Sequence, residues 1–153
     1  TSGTLGYTMQ VDEGEKFLYS KEYLLNRLAT LTGGRVAEEI ICHTCTTGAS
    51  NDIEKATQMA RAMITTYGMS DKYGMMALET KGNSYLGGSS QLACSDETAA
   101  DIDTKVREMI AAAKKKATDI ITANIDKMHK SARYLLEKET ITGEEFMNIF
   151  NGA

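Results

Sequence analysis

From Ser95 to Glu139 the chain runs without a single glycine or proline. Along that stretch Ile102, Val106, Ile110, Ala113, Ala117, Ile120, Met128, Ala132 and Leu135 fall at helical spacing and trace one apolar stripe. A single straight helix of this length would reach about 60 Å at about 1.5 Å rise per residue, longer than a compact domain of this size is wide. A break is therefore expected within "DIITANI", Asp119 to Ile125, where β-branched residues and Asn124 weaken helix propensity. Two antiparallel helices would result. Proline is absent from the whole chain, so nothing forces other helices to break either, and the expected fold class is mainly α.

The remaining elements follow from local signals. "LGYTMQV", Leu5 to Val11, is rich in strand formers and "DEGE" after it makes a turn, so a small strand is expected near the N-terminus. Ser20 is placed to cap a helix carrying Leu24, Leu25, Leu28 and Leu31. Gly33-Gly34 interrupts that helix, as a kink or a very close backbone contact, and "RVAEEII" resumes it through Val36, Ala37, Ile40 and Ile41. A third helix is expected from Asp52 to Tyr67, with Ile53, Ala56, Ala60, Met63, Ile64 and Tyr67 on its apolar face. Gly68 is placed to close it, and Asn51 and Glu54 have capping-box spacing. Between Met75 and Leu92, "MMAL" and "SYLGG" look like two short strands or a loop-rich hairpin, with Gly82, Gly87 and Gly88 at the turns. Thr142 and Glu145 have the spacing of a capping box that opens a short terminal helix through Phe150.

The 153 residues fit one domain, 1–153, long enough to bury a core without staples. Seventeen basic and 21 acidic residues leave a net charge of -4, which argues against a phosphate-neutralising surface, so no nucleic-acid partner is expected. The one basic run, Lys114–Lys116, reads as a solvated helix face. No apolar run approaches the roughly 20 residues that cross a bilayer; a soluble chain is expected. Three cysteines, Cys42, Cys45 and Cys94, are an odd number with no signal peptide ahead of them, which points to a reducing compartment and the cytoplasm. The abrupt start at Thr1, without an initiator Met, reads like an excised piece.

Three places carry metal-ligand chemistry. Asp52 follows the flexible run "TTGAS" and stands in the first turn of a helix, where negative charge is favoured by about 0.3–1 kcal/mol when exposed. From position alone that suits the helix; a rigidly held carboxylate is also an oxygen ligand for a cation. One acid cannot hold zinc by itself. "CHTC", Cys42 to Cys45, offers two thiols and an imidazole, yet the chain has no second C-x-x-C and no H-x-x-x-H to complete a structural zinc site. Cys94 and His129 have no spacing that ties them to it. The chain contains no Ser-His-Asp order, no Walker-type glycine loop and no H-E-x-x-H.

Five motifs in one order carry a resemblance: "GTLGYTMQ" (Gly3–Gln10), "LLNRLATLTGGRVAEEI" (Leu24–Ile40), "TTGASNDIEKAT" (Thr46–Thr57), "ARAMITTYGMSDKYG" (Ala60–Gly74) and "LLEKETITGEEF" (Leu135–Phe146). Together they resemble the FtsH family of ATP-dependent zinc metalloproteases, nearly end to end, over the later part of the family's peptidase domain. The resemblance implies that the aspartate of "SND", Asp52, is the third zinc ligand beside the two histidines of an H-E-x-x-H helix. Thr47, Gly48 and Asn51 would shape the turn that aims it, and Glu38 or Glu39 would orient a ligand from behind. The implied reaction is metal-assisted hydrolysis of peptide bonds, with zinc as Lewis acid and the H-E-x-x-H glutamate as general base. Leu5–Val11 would be the sheet edge along which an extended protein substrate lies.

The same resemblance implies a membrane-anchored parent with its peptidase on the cytoplasmic side, an AAA+ ATPase module that consumes ATP, and sister subunits in a homo-hexamer. The sequence departs from the family pattern in lacking H-E-x-x-H, the membrane segments and the ATPase module, so the chain alone is expected to be inactive. "CHT" also replaces what is more often an aromatic-Gly-acid turn before the aspartate. An alternative is a catalytically inert helical module for assembly or partner binding, with the stripe of Ser95–Glu139 as its working surface.

Overall fold

A computed structural model describes residues 18–81, 90–138 and 142–152. The expected strand at Leu5–Val11 lies outside them.

Helix α1 spans Lys21–Ala37 and is capped as its sequence implies: the Ser20 hydroxyl accepts the Tyr23 N–H at 3.0 Å. It buries Leu24, Leu28, Ala29 and Val36, while Leu25 is left exposed. Gly33 and Gly34 do not interrupt it. The helix runs through both and widens only afterwards, into a π-helical turn at Glu38–Cys42 that ends on left-handed His43. A Cβ on Gly33 would meet nothing within 4 Å, and one on Gly34 would stand in ordinary contact, 3.8 Å from Asp52 Oδ2.

Helix α2, Ser50–Thr65, starts two residues before the expected Asp52. The chain enters it through a 3-10 turn, Thr47–Ala49, so Asn51 already has helical geometry and the expected Asn51–Glu54 capping box does not form. Thr46 caps the turn instead, its hydroxyl accepting the Gly48 N–H at 3.2 Å. Ala56, Ala60, Met63 and Ile64 are buried as expected; Ile53 and Tyr67, at the ends of the face, are exposed. Gly68 closes the helix at φ +61°, where Met69 N–H returns to the Met63 carbonyl at 2.9 Å.

The hairpin lies slightly later than the sequence implies. Strand β1, Glu79–Lys81, pairs antiparallel with β2, Ser90–Leu92, in the register Glu79 to Leu92 and Lys81 to Ser90. Met75–Leu78 is not strand, and residues 82–89 lie outside the described set. Leu78, fully buried, ties the hairpin to the helices: its N–H donates to the Thr65 carbonyl and its carbonyl accepts from Ala93 N–H, at 3.1 and 2.8 Å. The buried Thr65 hydroxyl lies 2.9 Å from both the Arg61 carbonyl and a Glu79 carboxylate oxygen.

Helix α3, Asp96–Ala123, is capped by Ser95 and buries Ile102, Val106, Ala113 and Ala117. The break comes at Asn124, whose amide side chain donates to the Ile120 carbonyl at 2.8 Å. Helix α4, Ile125–Lys138, begins on the next residue. It does not fold back: α4 meets α3 around the junction and has α5, Gly143–Asn151, as its main neighbour. One residue cannot reverse a helical chain, which takes a loop of about two to five. The Thr142–Glu145 capping box is formed in both directions, at 3.2 and 2.8 Å.

The core is the junction of α1, α2 and α3 with Leu78: Leu24 and Leu28 meet Ala56, Ala60, Met63 and Ile64 from one side and Ile102, Val106 and Ala113 from the other. Alanines on the contact faces let the helices approach closely. Much of the long apolar stripe is thus consumed inside the fold; Ile120, Ala132 and Leu135 are its exposed members. Nor is the Lys114–Lys116 run merely solvated. Lys114 pairs with Glu39 at 3.1 Å, Lys116 donates to Asn26, and both clamp α3 to the α1 side, while Lys115 pairs with Asp119 along its own helix.

Candidate functional site

Asp52 stands in the first turn of α2, half-buried. Among the described residues its carboxylate receives no hydrogen bond and no ion pair. Its Oδ2 lies beside Gly34 of α1, 3.8 Å from where a Cβ on that glycine would stand.

The turn before Asp52 is fixed from the end of α1. The Glu38 carboxylate accepts the Thr46 N–H at 3.2 Å and the Thr46 hydroxyl at a shorter distance. These bonds, the hydroxyl first, hold the Glu38 carboxyl below the usual carboxylate range, with Arg35 adding a smaller pull in the same direction. Thr46 in turn receives Gly48 N–H. A Cβ on Gly48 would come to 3.2 Å from the Thr46 hydroxyl oxygen and 3.5 Å from Glu38 Oε1, so a side chain there would push the Thr46 hydroxyl by a few tenths of an ångström. Glu38, Thr46 and Gly48 form one chain of contacts leading into the 3-10 turn and on to Asp52.

Of the two acids expected behind the ligand, Glu38 thus acts on the loop and not on Asp52 itself, whereas Glu39 is spent on Lys114. Thr47 and Gly48 lie in the 3-10 turn, and Asn51 in α2. Thr46 is the residue sequence reasoning missed. Its signal was present: a threonine two residues before a glycine is a hydroxyl-capped turn.

Cys42, His43 and Cys45 are exposed, and Cys94 is half-buried against the core. His129 is exposed on α4, beside Asp126, Ala132, Arg133 and Leu136. Among the described residues no three His, Cys, Asp or Glu side chains gather to hold a metal ion. Nor is any described helix long and apolar enough to cross a membrane.

A second polar cluster ties the loop after α2 to α3. Tyr73 hydroxyl donates to the Asp101 carboxylate, and Lys72 Nζ lies 3.0 Å from it. The Tyr73 bond, then the Lys72 bond, holds the Asp101 carboxyl below its ordinary value; the same contact raises Tyr73 and Lys72 above theirs. Arg61 and Asp103, 2.7 Å apart, pair α2 with α3 nearby. These links hold α2 against its neighbour, and with it the Asp52 turn.

Comparison with known proteins places the sequence in a family. The sequence pattern of peptidase family M41 matches residues 1–149. The chain is 53% identical over 149 residues to the ATP-dependent zinc metalloprotease FtsH of Lancefieldella parvula, covering 97% of this chain and 23% of that protein. It is 49% identical over 152 residues to the FtsH of Clostridium perfringens, covering 99% of this chain and 21% of that one. A chloroplastic FtsH of Arabidopsis thaliana is 48% identical over 141 residues, covering 89% and 20%. The chain therefore spans about a fifth to a quarter of the length of these relatives. Matched over nearly its whole length, the chain belongs to peptidase family M41, the family of the FtsH zinc metalloproteases that it resembles.

Proposed function

We propose that this chain, as one domain over 1–153, is the C-terminal part of an FtsH-like zinc peptidase domain, and that Asp52 is the third protein ligand of its zinc ion. The observation that carries this reading is the state of the Asp52 carboxylate: half-buried, fixed in the first turn of α2, facing Gly34, and without a hydrogen-bond or ion-pair partner among the described residues. A carboxylate placed so is a ready oxygen donor for a borderline cation. The other two ligands would be the histidines of an H-E-x-x-H helix, a motif this sequence does not contain.

When bound, zinc supplies Lewis-acid activation of water and of the scissile carbonyl. This chain contributes positioning. Glu38 grips Thr46, Thr46 grips Gly48, and the helix that follows presents Asp52 at a fixed angle; orienting contacts of this kind typically hold 10–100-fold in metal affinity. In the parent protein the substrates would be polypeptides and the partners an ATP-consuming AAA+ module and sister subunits, in a homo-hexamer with its peptidase at the cytoplasmic face of a membrane.

The test is Asp52→Asn in the intact parent protein, which keeps the side chain's size and removes its charge. Bound zinc is expected to be lost and proteolysis abolished, with ATP hydrolysis retained. Unchanged zinc content in that variant refutes the assignment.

A further inference from the structure

The C-x-x-C of Cys42-His43-Thr44-Cys45 has no part in the chemistry above, and its surroundings give it one. Both thiols are free and exposed. Cys42 ends the π-helical turn, and His43 then adopts φ 53°, ψ 36°, bending the chain. A left-handed residue other than glycine needs outside support, and Glu38 supplies it. Its carbonyl accepts His43 N–H and Thr44 N–H, while its carboxylate accepts Thr46. The two cysteines therefore flank a solvent-facing bend whose ends are pinned on one residue.

We propose that Cys42 and Cys45 form a reversible oxidation site, a dithiol that closes to an intramolecular disulfide by exchange with a small oxidised thiol of the glutathione type. One cysteine loses its proton, and its thiolate attacks a sulfur of the small disulfide; a mixed disulfide forms as the small molecule's S–S bond breaks and one small thiolate leaves. The other cysteine, deprotonated in turn, attacks the mixed disulfide, forms the Cys42–Cys45 bond and expels the second small thiolate. Two cysteines are oxidised, one small disulfide is reduced to two thiols, and the two released protons are accounted for by those thiols.

Closure has a consequence for the neighbouring site. A disulfide holds its Cβ atoms about 3.5–4.5 Å apart, so after closure the bond, and not the Glu38 contacts alone, sets the position of Cys45 and of the adjacent Thr46. Thr46 is the residue through which Glu38 fixes the turn before Asp52. Oxidation thus loosens the carboxylate and weakens metal retention. That consequence rests on the zinc reading above; the disulfide does not.

Trypsin cuts after Arg35 and Lys55, which places both cysteines in one peptide, Val36–Lys55. The zinc-loaded intact protein is treated with oxidised glutathione, then denatured, alkylated and digested. The peptide is expected without alkyl groups and lighter by two hydrogens than its reduced form, with dithiothreitol restoring two alkylation sites. In Cys45→Ser the same treatment leaves Cys42 carrying glutathione. Two alkyl groups, or two separate glutathiones, on Val36–Lys55 overturn the proposal. Chelator titration of the same samples is expected to strip zinc at several-fold lower chelator after oxidation, a difference absent in Cys45→Ser. A disulfide that forms without changing zinc release refutes the coupling to Asp52; zinc retained in Asp52→Asn refutes the zinc reading and leaves the peptide result standing.

Discussion

The same substitution, glycine to alanine, should act with opposite sign at two positions in this fold. At Gly68 the backbone sits at φ +61°, and a Cβ there would come within 2.9 Å of the Gly74 carbonyl oxygen. The left-handed conformation alone costs an L-residue about 1–2 kcal/mol. The contact adds to it, because the opposing atom is backbone and cannot swing aside, so Gly68→Ala should destabilise by about 2–3 kcal/mol. Gly33 lies inside α1, and a Cβ there meets nothing within 4 Å. Removing glycine's unfolded-state freedom from a helix interior should stabilise by about 0.5–1 kcal/mol. The two variants should therefore differ by about 3 kcal/mol, which at a urea slope of about 1–3 kcal/mol per molar separates their midpoints by about 1 M or more. Equilibrium urea unfolding followed by helical circular dichroism measures this directly, provided the slopes match. Midpoints that move in the same direction, or a Gly68→Ala midpoint at the parent value, would refute the account of how α2 ends.

Two further outcomes are expected. Leu28 is fully buried where α1, α2 and α3 meet, so Leu28→Ala should cost about 2–5 kcal/mol; a loss under about 1 kcal/mol in urea unfolding would show that this core is not the one that holds the chain together. Asp101 has its carboxyl depressed by Tyr73 and Lys72, so its contribution is complete above the ordinary aspartate value, about 4, and is lost as pH falls through the lower folded value. Tyr73→Phe should accordingly flatten the acid limb of midpoint against pH, and superimposable limbs for the two proteins would count against the Tyr73–Asp101 link.

Much of this fold was legible because its helix ends are written in local chemistry. Ser20 and the Thr142–Glu145 pair each cap where their spacing implied, and Asn124 marks the break in the long stretch. What was not legible depended on three dimensions. Gly33-Gly34 looks like punctuation in one dimension, yet α1 winds through both, and Gly34 lies beside Asp52 of another helix. Asn51 has the spacing of a cap, yet a 3-10 turn begun at Thr46 had already started the winding. The break at Asn124 was visible, but the direction taken after it was not, because direction depends on linker length and on what α4 finds to pack against. For the site, position alone left Asp52 open between helix and metal, and only the family resemblance favoured the second. The Glu38–Thr46 grip joins residues eight apart across an irregular bend, a contact no periodicity announces.

The one-residue joint at Asn124 has a consequence for how stability is shared. Among the described residues, helices α4 and α5 add only Ser131 to those that are buried, so they draw little on the cohesion of the three-helix centre. The molecule is then energetically two-tiered: a tail that can fray and reanneal at little expense, and a centre that opens only when everything does. Motion in the tail would leave the Asp52 turn undisturbed, because that turn is braced from α1 and α3, upstream of the joint.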